Sequence, residues 1–427
     1  MLLIVLALLL LVGFIYVGWS LIWVAPMLTF IVALVAGLNP LTTFTDVYLG
    51  GLVSFFKSWF PVFFLGSILG ALMESTGSAR EIGKALSRLL GNKRAILGVL
   101  LSSAVLTYGG ISLFVVIFAL YPLAYPLFQE ANISRRLIPA VIALGAFTFT
   151  MTAIPGSPQI QNLIPTKYFA TTPTASPWLG TLAAIIMAVT GYCYLVWREK
   201  QLRRRGEGFT ETQEVKNLDA TNPSNSAIRS FLPLLMVVIS LNLFHWNIVY
   251  ALGSGILLLI LLQLSHYRRF IPSLNEGARN SIIALVTTSS AVGFGSVVTS
   301  LPTFPRISRL LLTSGGSNVY FSLSIAIIVM AVITGSASGA LSIALDALGA
   351  QYLQLAKSTG IHLDSLHRIA TLASGAIIPP HSGGIITYLT VTGFTHRQAY
   401  PDLAVVCVLI PTIAFLISLF LVTMGIF

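Results

Sequence analysis

Long apolar runs follow one another along almost the whole chain, and the polar connections between them are short. An apolar helix of about 20 residues is what the hydrocarbon core of a bilayer requires. No polar stretch is large enough to form a second domain. The pattern therefore predicts an all-α, polytopic membrane protein. The predicted spanning segments are 1–17, 20–37, 52–73, 137–165, 178–197, 229–246, 249–265, 278–300, 367–394 and 403–425.

Two further apolar stretches, at about 95–130 and 318–357, are each too long for a single crossing. Small and helix-breaking residues split each of them midway, at Thr107–Ser112 and at Thr334–Gly339. A run that turns back at mid-membrane depth returns to its own side. We therefore predict two re-entrant hairpins.

Two of the spanning segments are interrupted as well. The segment at about 137–165 contains two prolines within Thr150–Asn162, and the segment at about 367–394 contains two within Pro379–Gly384. Proline removes a backbone donor and ends the preceding helix. Both segments are therefore predicted to be broken helices.

These interruptions occur in the same order in the two halves of the chain, separated by about 230 residues. Each half holds about five crossings, an odd number, so the second half is inverted relative to the first. We predict a first repeat over 1–197, a basic linker over 198–228 and a second repeat over 229–427.

The charges lie where a membrane protein needs them. The chain has 24 Lys and Arg against 13 Asp and Glu, a net charge of +11, which in a soluble protein is typical of nucleic-acid binding. Here 56% of residues are hydrophobic, and the cations cluster in short connections, as the positive-inside rule requires. We expect a lipid bilayer and no nucleic acid as partner, with 198–228 cytoplasmic and both termini outside. The clustered cations are Arg80, Lys84, Arg88, Lys93, Arg94, Arg135, Arg136, Arg198, Lys200, Arg203, Arg204, Arg205, Arg268 and Arg269.

Enzyme chemistry and cofactors are not indicated. The two cysteines, Cys193 and Cys407, lie in apolar runs and form neither a disulfide framework nor a metal cluster. Phosphate loops, nucleophile elbows, zinc motifs and dinucleotide fingerprints are absent from the sequence. The first apolar run has no basic region before it, so we expect a retained helix rather than a cleaved signal peptide.

The breaks indicate where a ligand binds. A break at membrane depth exposes backbone groups that only protein, water or a ligand satisfies, and the half-helix that follows it presents N–H groups and a positive dipole end. Such ends attract anions, and hydroxyl and amide side chains accompany them here. The predicted substrate-binding residues are Tyr108, Gly109, Gly110, Ser112, Thr150, Thr152, Gly156, Ser157, Gln159, Gln161, Asn162, Gly335, Ser336, Ser338, Gly339, Ser382 and Gly383.

Two ionisable residues stand out within the apolar runs. His381 lies in the second break, and Asp346 lies seven residues beyond Gly339, about 10 Å along a helix. We predict that they carry a coupling proton, since their counterparts in the first half are apolar or small. The alternatives are that His381 only bonds the broken backbone and that Asp346 only caps or pairs with a neighbour. Glu74 is expected at the membrane interface, and His367 at a surface helix end.

The residues also resemble those of the gluconate:proton symporter (gluconate permease) family, especially its 3-hydroxybutyrate permease-like members. The resemblance is carried by Ala143–Asn162, by Thr334–Asp346 and by Thr392–Gln398. The chain departs from the family at Gly375–Gly383, where relatives are expected to carry an Asp and a Thr in place of apolar residues, and an Asn in place of Ser382.

The resemblance extends to the wider ion-transporter superfamily and implies a homodimer, an elevator mechanism and a bacterial inner-membrane location. In such an elevator, the first helices of each half are expected to form a scaffold, and the hairpins and broken helices are expected to form the unit that moves. With the breaks, it predicts proton-coupled symport of a small hydroxy- or keto-monocarboxylate, such as 3-hydroxybutyrate or a gluconate-type sugar acid. Sodium-coupled carboxylate transport is the nearest alternative, because hairpin carbonyls with Ser336 and Ser338 are suitable Na⁺ ligands. The alternatives from other classes of protein are a channel and an intramembrane hydrolase in which Ser382 would be the nucleophile.

Overall fold

The computed structural model of the chain describes residues 2–16, 19–79, 81–82, 85, 94–111, 113–210, 227–304, 318–380 and 382–427. Within these ranges the regular secondary structure is helical, and no strand is present. The main helices are α1 (Leu2–Tyr16), α2 (Leu21–Val35), α3 (Pro40–Ser75), α4 (Ala95–Tyr108), α5 (Leu113–Glu130), α6 (Arg135–Ala153), α7 (Ile160–Phe169), α8 (Pro177–Arg204), α9 (Ala227–Asn242), α10 (Ile248–Leu262), α11 (Tyr267–Ser300), α12 (Val319–Thr334), α13 (Ala337–Thr359), α14 (Leu363–Ala376), α15 (Gly383–Thr392) and α16 (His396–Thr423).

Five of the described helical stretches are long and apolar enough to cross a membrane, and they contain α3, α6, α8, α11 and α16. Shorter apolar helices, α2, α4, α9, α10 and α12 among them, accompany these five. A chain with this many apolar helices buries its backbone polar groups inside each helix, as lipid demands. The protein is therefore a multi-pass membrane protein.

Two of the long helices begin earlier than their hydropathy indicated. The helix α3 starts at Pro40 rather than near residue 52, because Asn39 caps its first turn by accepting hydrogen bonds from the amides of Leu41 (3.0 Å) and Thr42 (3.3 Å). The helix α11 starts at Tyr267 rather than near residue 278. Its first turns carry Arg, Asn and Glu, which a helix accommodates readily. A prediction based on hydropathy starts the helix later, because these residues are polar.

Each hairpin stretch forms two helices that pack on one another, α4 with α5 and α12 with α13. In the second pair, Gly335 adopts φ +64°, and its amide bonds the carbonyl of Ala331 at 3.0 Å, which ends α12. The side chain of Ser336 then accepts the amide of Gly339 at 3.2 Å and begins α13. A reversal in two residues is possible because glycine tolerates a positive φ.

The two broken helices end and restart at the proline-containing segments. The helix α6 is π-helical over Leu144–Ala153, and after the prolines the chain resumes as α7. The helix α14 stops at Ala376 and the chain resumes as α15 at Gly383. In the most apolar stretch of α6, 94% of the residues are buried inside the protein, compared with 33% in the most apolar stretch of α3. The first broken helix therefore lies in the centre of the molecule, whereas much of α3 faces its surroundings.

Candidate functional site

A cavity of about 750 Å³ lies where the helix breaks meet the long helices α3 and α11. Both hairpin turns and both broken helices contribute to its wall, together with the connection before α2. Residues far apart in the chain therefore enclose one space. Its polar lining residues are Ser20, Ser67, Glu74, Gln159, Gln161, Glu276, Asn280, Thr287, Thr288, Ser336, Ser338, Ser374, Ser382 and Thr387.

The turn of the first hairpin is bonded directly to the first break. The side-chain amide of Gln159 donates to the carbonyl oxygens of Thr107, at 2.6 Å, and Ile111, at 3.3 Å. The hydroxyl of Tyr108 donates to the carbonyl of Pro155 at 3.2 Å. These bonds satisfy carbonyl groups that a helix end otherwise leaves unpaired, so the hairpin turn and the break form one structural unit.

Side chains of the last helix satisfy the carbonyls of the second break. Thr412 donates to Ala376 at 2.9 Å and Tyr400 donates to Ile378 at 3.4 Å, while the Nε2 of His396 lies 2.9 Å from the carbonyl oxygen of Pro380. In the first break, the side-chain amide of Asn242 donates to Gly156 at 2.9 Å. Many exposed carbonyls of both breaks therefore already have protein donors.

The N-terminal ends of three helices meet at the cavity instead. The helix α7 begins after Gln159, α13 after Ser336 and α15 after Ser382, and all three preceding residues line the cavity. First-turn amides have no acceptor within their own helix and carry the positive end of its dipole. The arrangement is suited to a small anion that offers several oxygen acceptors.

The predicted substrate-binding residues divide into two groups in the structure. The cavity lining includes Gly110, Gln159, Gln161, Gly335, Ser336, Ser338, Ser382 and Gly383. It does not include Tyr108, Gly109, Thr150, Thr152, Gly156, Ser157, Asn162 and Gly339. Ser112 and His381 lie outside the described residues.

The buried polar residues of the second group bond the protein backbone. Thr150 donates to the carbonyl of Gly145, Thr152 to that of Thr148 at 3.1 Å, and Ser157 to that of Thr150 at 2.6 Å. These hydroxyls satisfy carbonyls of the irregular α6 segment. In this conformation the three hydroxyls therefore stabilise the break, and their contact with a substrate stays a prediction.

Asp346 does not line the cavity. It lies on an exposed part of α13 and accepts a hydrogen bond from the hydroxyl of Tyr168 on α7. This is the alternative in which the carboxylate pairs with a neighbour. The contact joins the second hairpin to the first broken helix.

The sequence analysis missed the acidic wall of the cavity. Glu74, which we expected at the membrane interface, and Glu276 on α11 both line it, and Asn280 lies one turn beyond Glu276. The described lining contains no Lys, Arg or His. Glu276 escaped notice because its segment is too polar to be read as part of a spanning helix.

The structure also places a cation where none was expected. Arg368, on α14, is completely buried, and so is His367 beside it, contrary to the surface position expected for that histidine. The guanidinium of Arg368 donates to the side-chain oxygen of Asn162 at 3.0 Å and to the carbonyls of Thr152 (3.4 Å) and Ala175 (2.8 and 3.1 Å). A sequence signal did exist, since Arg368 lies outside every cluster of topology charges.

Some topology charges have specific partners. Asp402, on α16, is almost fully buried and pairs with Arg198 on α8 at 2.7 Å and with Arg136 on α6 at 3.4 Å. The hydroxyl of Tyr194 donates to the same carboxylate at 2.8 Å. These contacts join the beginning of the first broken helix to the last helix of the chain.

Comparison with known proteins agrees with this architecture. The profile described as GntP family permease matches residues 1–264. The chain is also 40% identical, over 451 aligned positions, to a protein of Bacillus subtilis (strain 168) named uncharacterized transporter YxjC, and the alignment covers 94% of each chain. Similarity of this extent shows common descent over nearly the full length and confirms the resemblance seen in the sequence. The chain belongs to the GntP family of permeases.

Proposed function

We propose that this permease is a secondary active transporter that carries a small organic acid anion across the bacterial inner membrane together with a proton. The observation that carries the proposal is the meeting of three helix N-termini, preceded by Gln159, Ser336 and Ser382, at one cavity. Amides at such ends bind carboxylate oxygens. The neighbouring Gln161 and Ser338 are suited to hydroxyl or keto oxygens of the same molecule.

The size of the cavity supports a small substrate. Binding sites for small molecules typically occupy about 300–1,000 Å³, and this cavity has about 750 Å³. It therefore accommodates a hydroxy- or keto-monocarboxylate such as 3-hydroxybutyrate, or a longer sugar acid such as gluconate, with water around it.

Sodium coupling is less well supported by the geometry. The sodium alternative needs free carbonyl oxygens at the hairpin turns. In the first turn the carbonyls of Thr107 and Ile111 accept from Gln159, and in the second the carbonyl of Ser336 accepts from the amide of Ala340. Proton coupling needs only a titratable group facing the substrate. Glu74 and Glu276 line the cavity and offer carboxyl groups for this purpose, whereas Asp346 lies away from it and would act only through Tyr168. His381, predicted from the sequence, lies outside the described residues.

The long pair α3 and α11 supplies one wall of the cavity, and the hairpins and broken helices supply the others. We assign the pair to a scaffold and the remainder to a unit that moves, as in an elevator with two inverted repeats. A dimer formed through the scaffold would hold it still while the other unit moves. The cavity reaches Ser20 and Glu74, near the basic connections that the positive-inside rule assigns to the cytoplasm.

Uptake into proteoliposomes tests the proposal. Purified protein is reconstituted and supplied with labelled 3-hydroxybutyrate, gluconate, lactate and pyruvate, with and without an inward pH gradient. We expect one or more acids to accumulate only with the gradient, and a protonophore to abolish accumulation. Accumulation driven by Na⁺ alone would support the sodium alternative, and no accumulation of any acid under either gradient would contradict the proposal.

A further inference from the structure

No contacting carboxylate balances the charge of Arg368 among the described residues. Its hydrogen bonds go to carbonyl oxygens and to the neutral amide of Asn162. Asp364, one turn earlier on α14, acts on Arg368 only at a distance, and its side chain is exposed. The carboxylates on the helices that pack against α14 have other partners, Tyr168 for Asp346 and Arg198 for Asp402.

A buried charge without a counter-ion is costly, and within a membrane domain it indicates function rather than stability. Neutral hydrogen bonds orient the guanidinium, but they do not cancel its charge. The described part of the cavity lining contains no Lys, Arg or His. A positive charge behind the wall supplies what an anion-binding cavity needs and what its described lining lacks.

Arg368 lies close behind the wall. Thr152, whose carbonyl accepts from the guanidinium at 3.4 Å, is the neighbour of the cavity-lining Met151. Asn162, which accepts from the guanidinium at 3.0 Å, is the neighbour of the cavity-lining Gln161. At a separation of about 10 Å and an effective dielectric constant of about 20, a unit charge changes the concentration of a monovalent anion by about tenfold.

We propose that Arg368 is the fixed countercharge for the transported anion: it acts through the wall of the cavity, without touching the substrate, and makes the cavity selective for anions. This inference rests on the proposed function. Through the carbonyl of Thr152 and the side chain of Asn162, Arg368 is also the positioning residue for the start of α7.

Reaction of a cavity cysteine with charged reagents tests the electrostatic role without any substrate. Ile160, the half-buried first residue of α7, lines the cavity, so Ile160→Cys is a suitable reporter. Cys193 is exposed and is replaced by Ser, whereas Cys407 is buried and stays. The measured quantity is the rate with an anionic methanethiosulfonate divided by the rate with a cationic one, at low ionic strength.

We expect Arg368→Gln to lower this ratio about tenfold and Arg368→Lys to leave it within about twofold. Lys167→Gln removes a cation from the exposed end of α7 and is the matched control, with no change expected. An unchanged ratio in Arg368→Gln would overturn the inference. If that variant does not fold, the ratio in the unsubstituted Ile160→Cys protein decides: we expect it to exceed the ratio measured for a small free thiol, and a ratio at or below that of the free thiol overturns the inference.

Uptake measurements on the same variants separate this inference from the proposed function. With 3-hydroxybutyrate or gluconate as probe, Arg368→Gln should raise KM about tenfold with little change in kcat, and Arg368→Lys should restore KM. If the wild type transports neither acid while the labelling ratio still falls, the proposed function fails and the charge role stands. If uptake is normal and the ratio does not respond to Arg368→Gln, the charge role alone fails.

Discussion

Gln159 and Gln161 lie two residues apart at the first break and do different things. Both residues line the cavity. The side chain of Gln159 donates to two carbonyls of the first hairpin, whereas the side chain of Gln161 forms no hydrogen bond with the described part of the protein. From the sequence, both were assigned to the substrate. Only the directions of their side chains in the folded protein distinguish the two roles.

We therefore predict opposite effects for two matched substitutions. Gln159→Ala removes the bonds to the carbonyls of Thr107 and Ile111, of which that of Thr107 keeps the amide of Gly110 as a donor. The loss should destabilise the protein by about 1–3 kcal/mol, with a lower melting temperature in detergent. Gln161→Ala should leave the melting temperature unchanged but raise the KM for uptake several-fold, because it removes about one hydrogen bond to the substrate. Equal losses of stability in both variants would contradict the assignment.

The negative charge of Glu276 is expected to oppose an anionic substrate. Glu276→Gln removes this charge from the cavity wall, so the KM for uptake should fall, and it should fall further at low ionic strength than at high ionic strength. Asp46→Asn, near the beginning of α3 and outside the cavity, serves as the control with an unchanged KM. A KM in Glu276→Gln identical to that of the wild type at low ionic strength would contradict a contribution of this charge to substrate binding.

At the scale of elements, each helix break depends on a few contacts from distant helices. Gly156, in the first break, has φ +75°, and a Cβ atom there would strike the side chain of Asn242 on α9. Both the backbone conformation and the space therefore require glycine. Its role is to shape the turn, rather than to contact the substrate as the sequence suggested.

Gly156→Ala should accordingly destabilise the protein by more than the 1–2 kcal/mol of an ordinary left-handed position, and it should slow uptake. Gly253→Ala, in the middle of α10, meets nothing within 4 Å and should be neutral or slightly stabilising. Thermal melting in detergent and initial uptake rates measure both effects. A stable, fully active Gly156→Ala would show that the break tolerates rearrangement.

The Asp402 cluster is the other contact between distant elements. Asp402→Asn leaves Arg198 without this counter-ion and leaves Arg136 with only the exposed Glu207. Because both arginines are partly exposed, we expect a loss on the order of 2 kcal/mol rather than the larger cost of a fully buried pair. Glu207→Gln breaks only the exposed 3.9 Å contact with Arg136 and should cost below about 1 kcal/mol. Urea or thermal unfolding in detergent distinguishes the two.

At the scale of the whole molecule, the orientation in the membrane determines which side the cavity serves. The positive-inside rule assigns the connections near Glu74 and Tyr267 to the cytoplasm. The cavity reaches Ser20, Glu74 and Glu276 at that end. The conformation described here is therefore the one expected to release or collect substrate on the cytoplasmic side.

This orientation predicts the sidedness of labelling. In a Cys193→Ser background, Asn280→Cys in the cavity should react with an impermeant maleimide in inside-out vesicles and not in intact cells. Thr172→Cys, in the exposed connection between α7 and α8, should show the reverse. Reaction of both cysteines from the same side would contradict the predicted topology.

The sequence by itself determined those features of the fold that depend on residues close together in the chain. Hydropathy marks the apolar helices, and Pro, Gly and Ser mark where they stop, because helix formation and helix termination are local events. The breaks at Thr150–Asn162 and Pro379–Gly384 could thus be read directly from the chain, as could half of the described candidate residues that line the cavity.

The tertiary structure alone decided which polar groups face the cavity. Arg368 bonds the carbonyl of Thr152, 216 positions away, and Asp346 meets Tyr168, 178 positions away. No local pattern encodes such contacts, since they depend on how distant helices pack. For the same reason, only the folded protein shows that Thr150, Thr152 and Ser157 donate to backbone carbonyls. It alone also shows the positions of Glu276 in the cavity wall and of Arg368 beside Asn162.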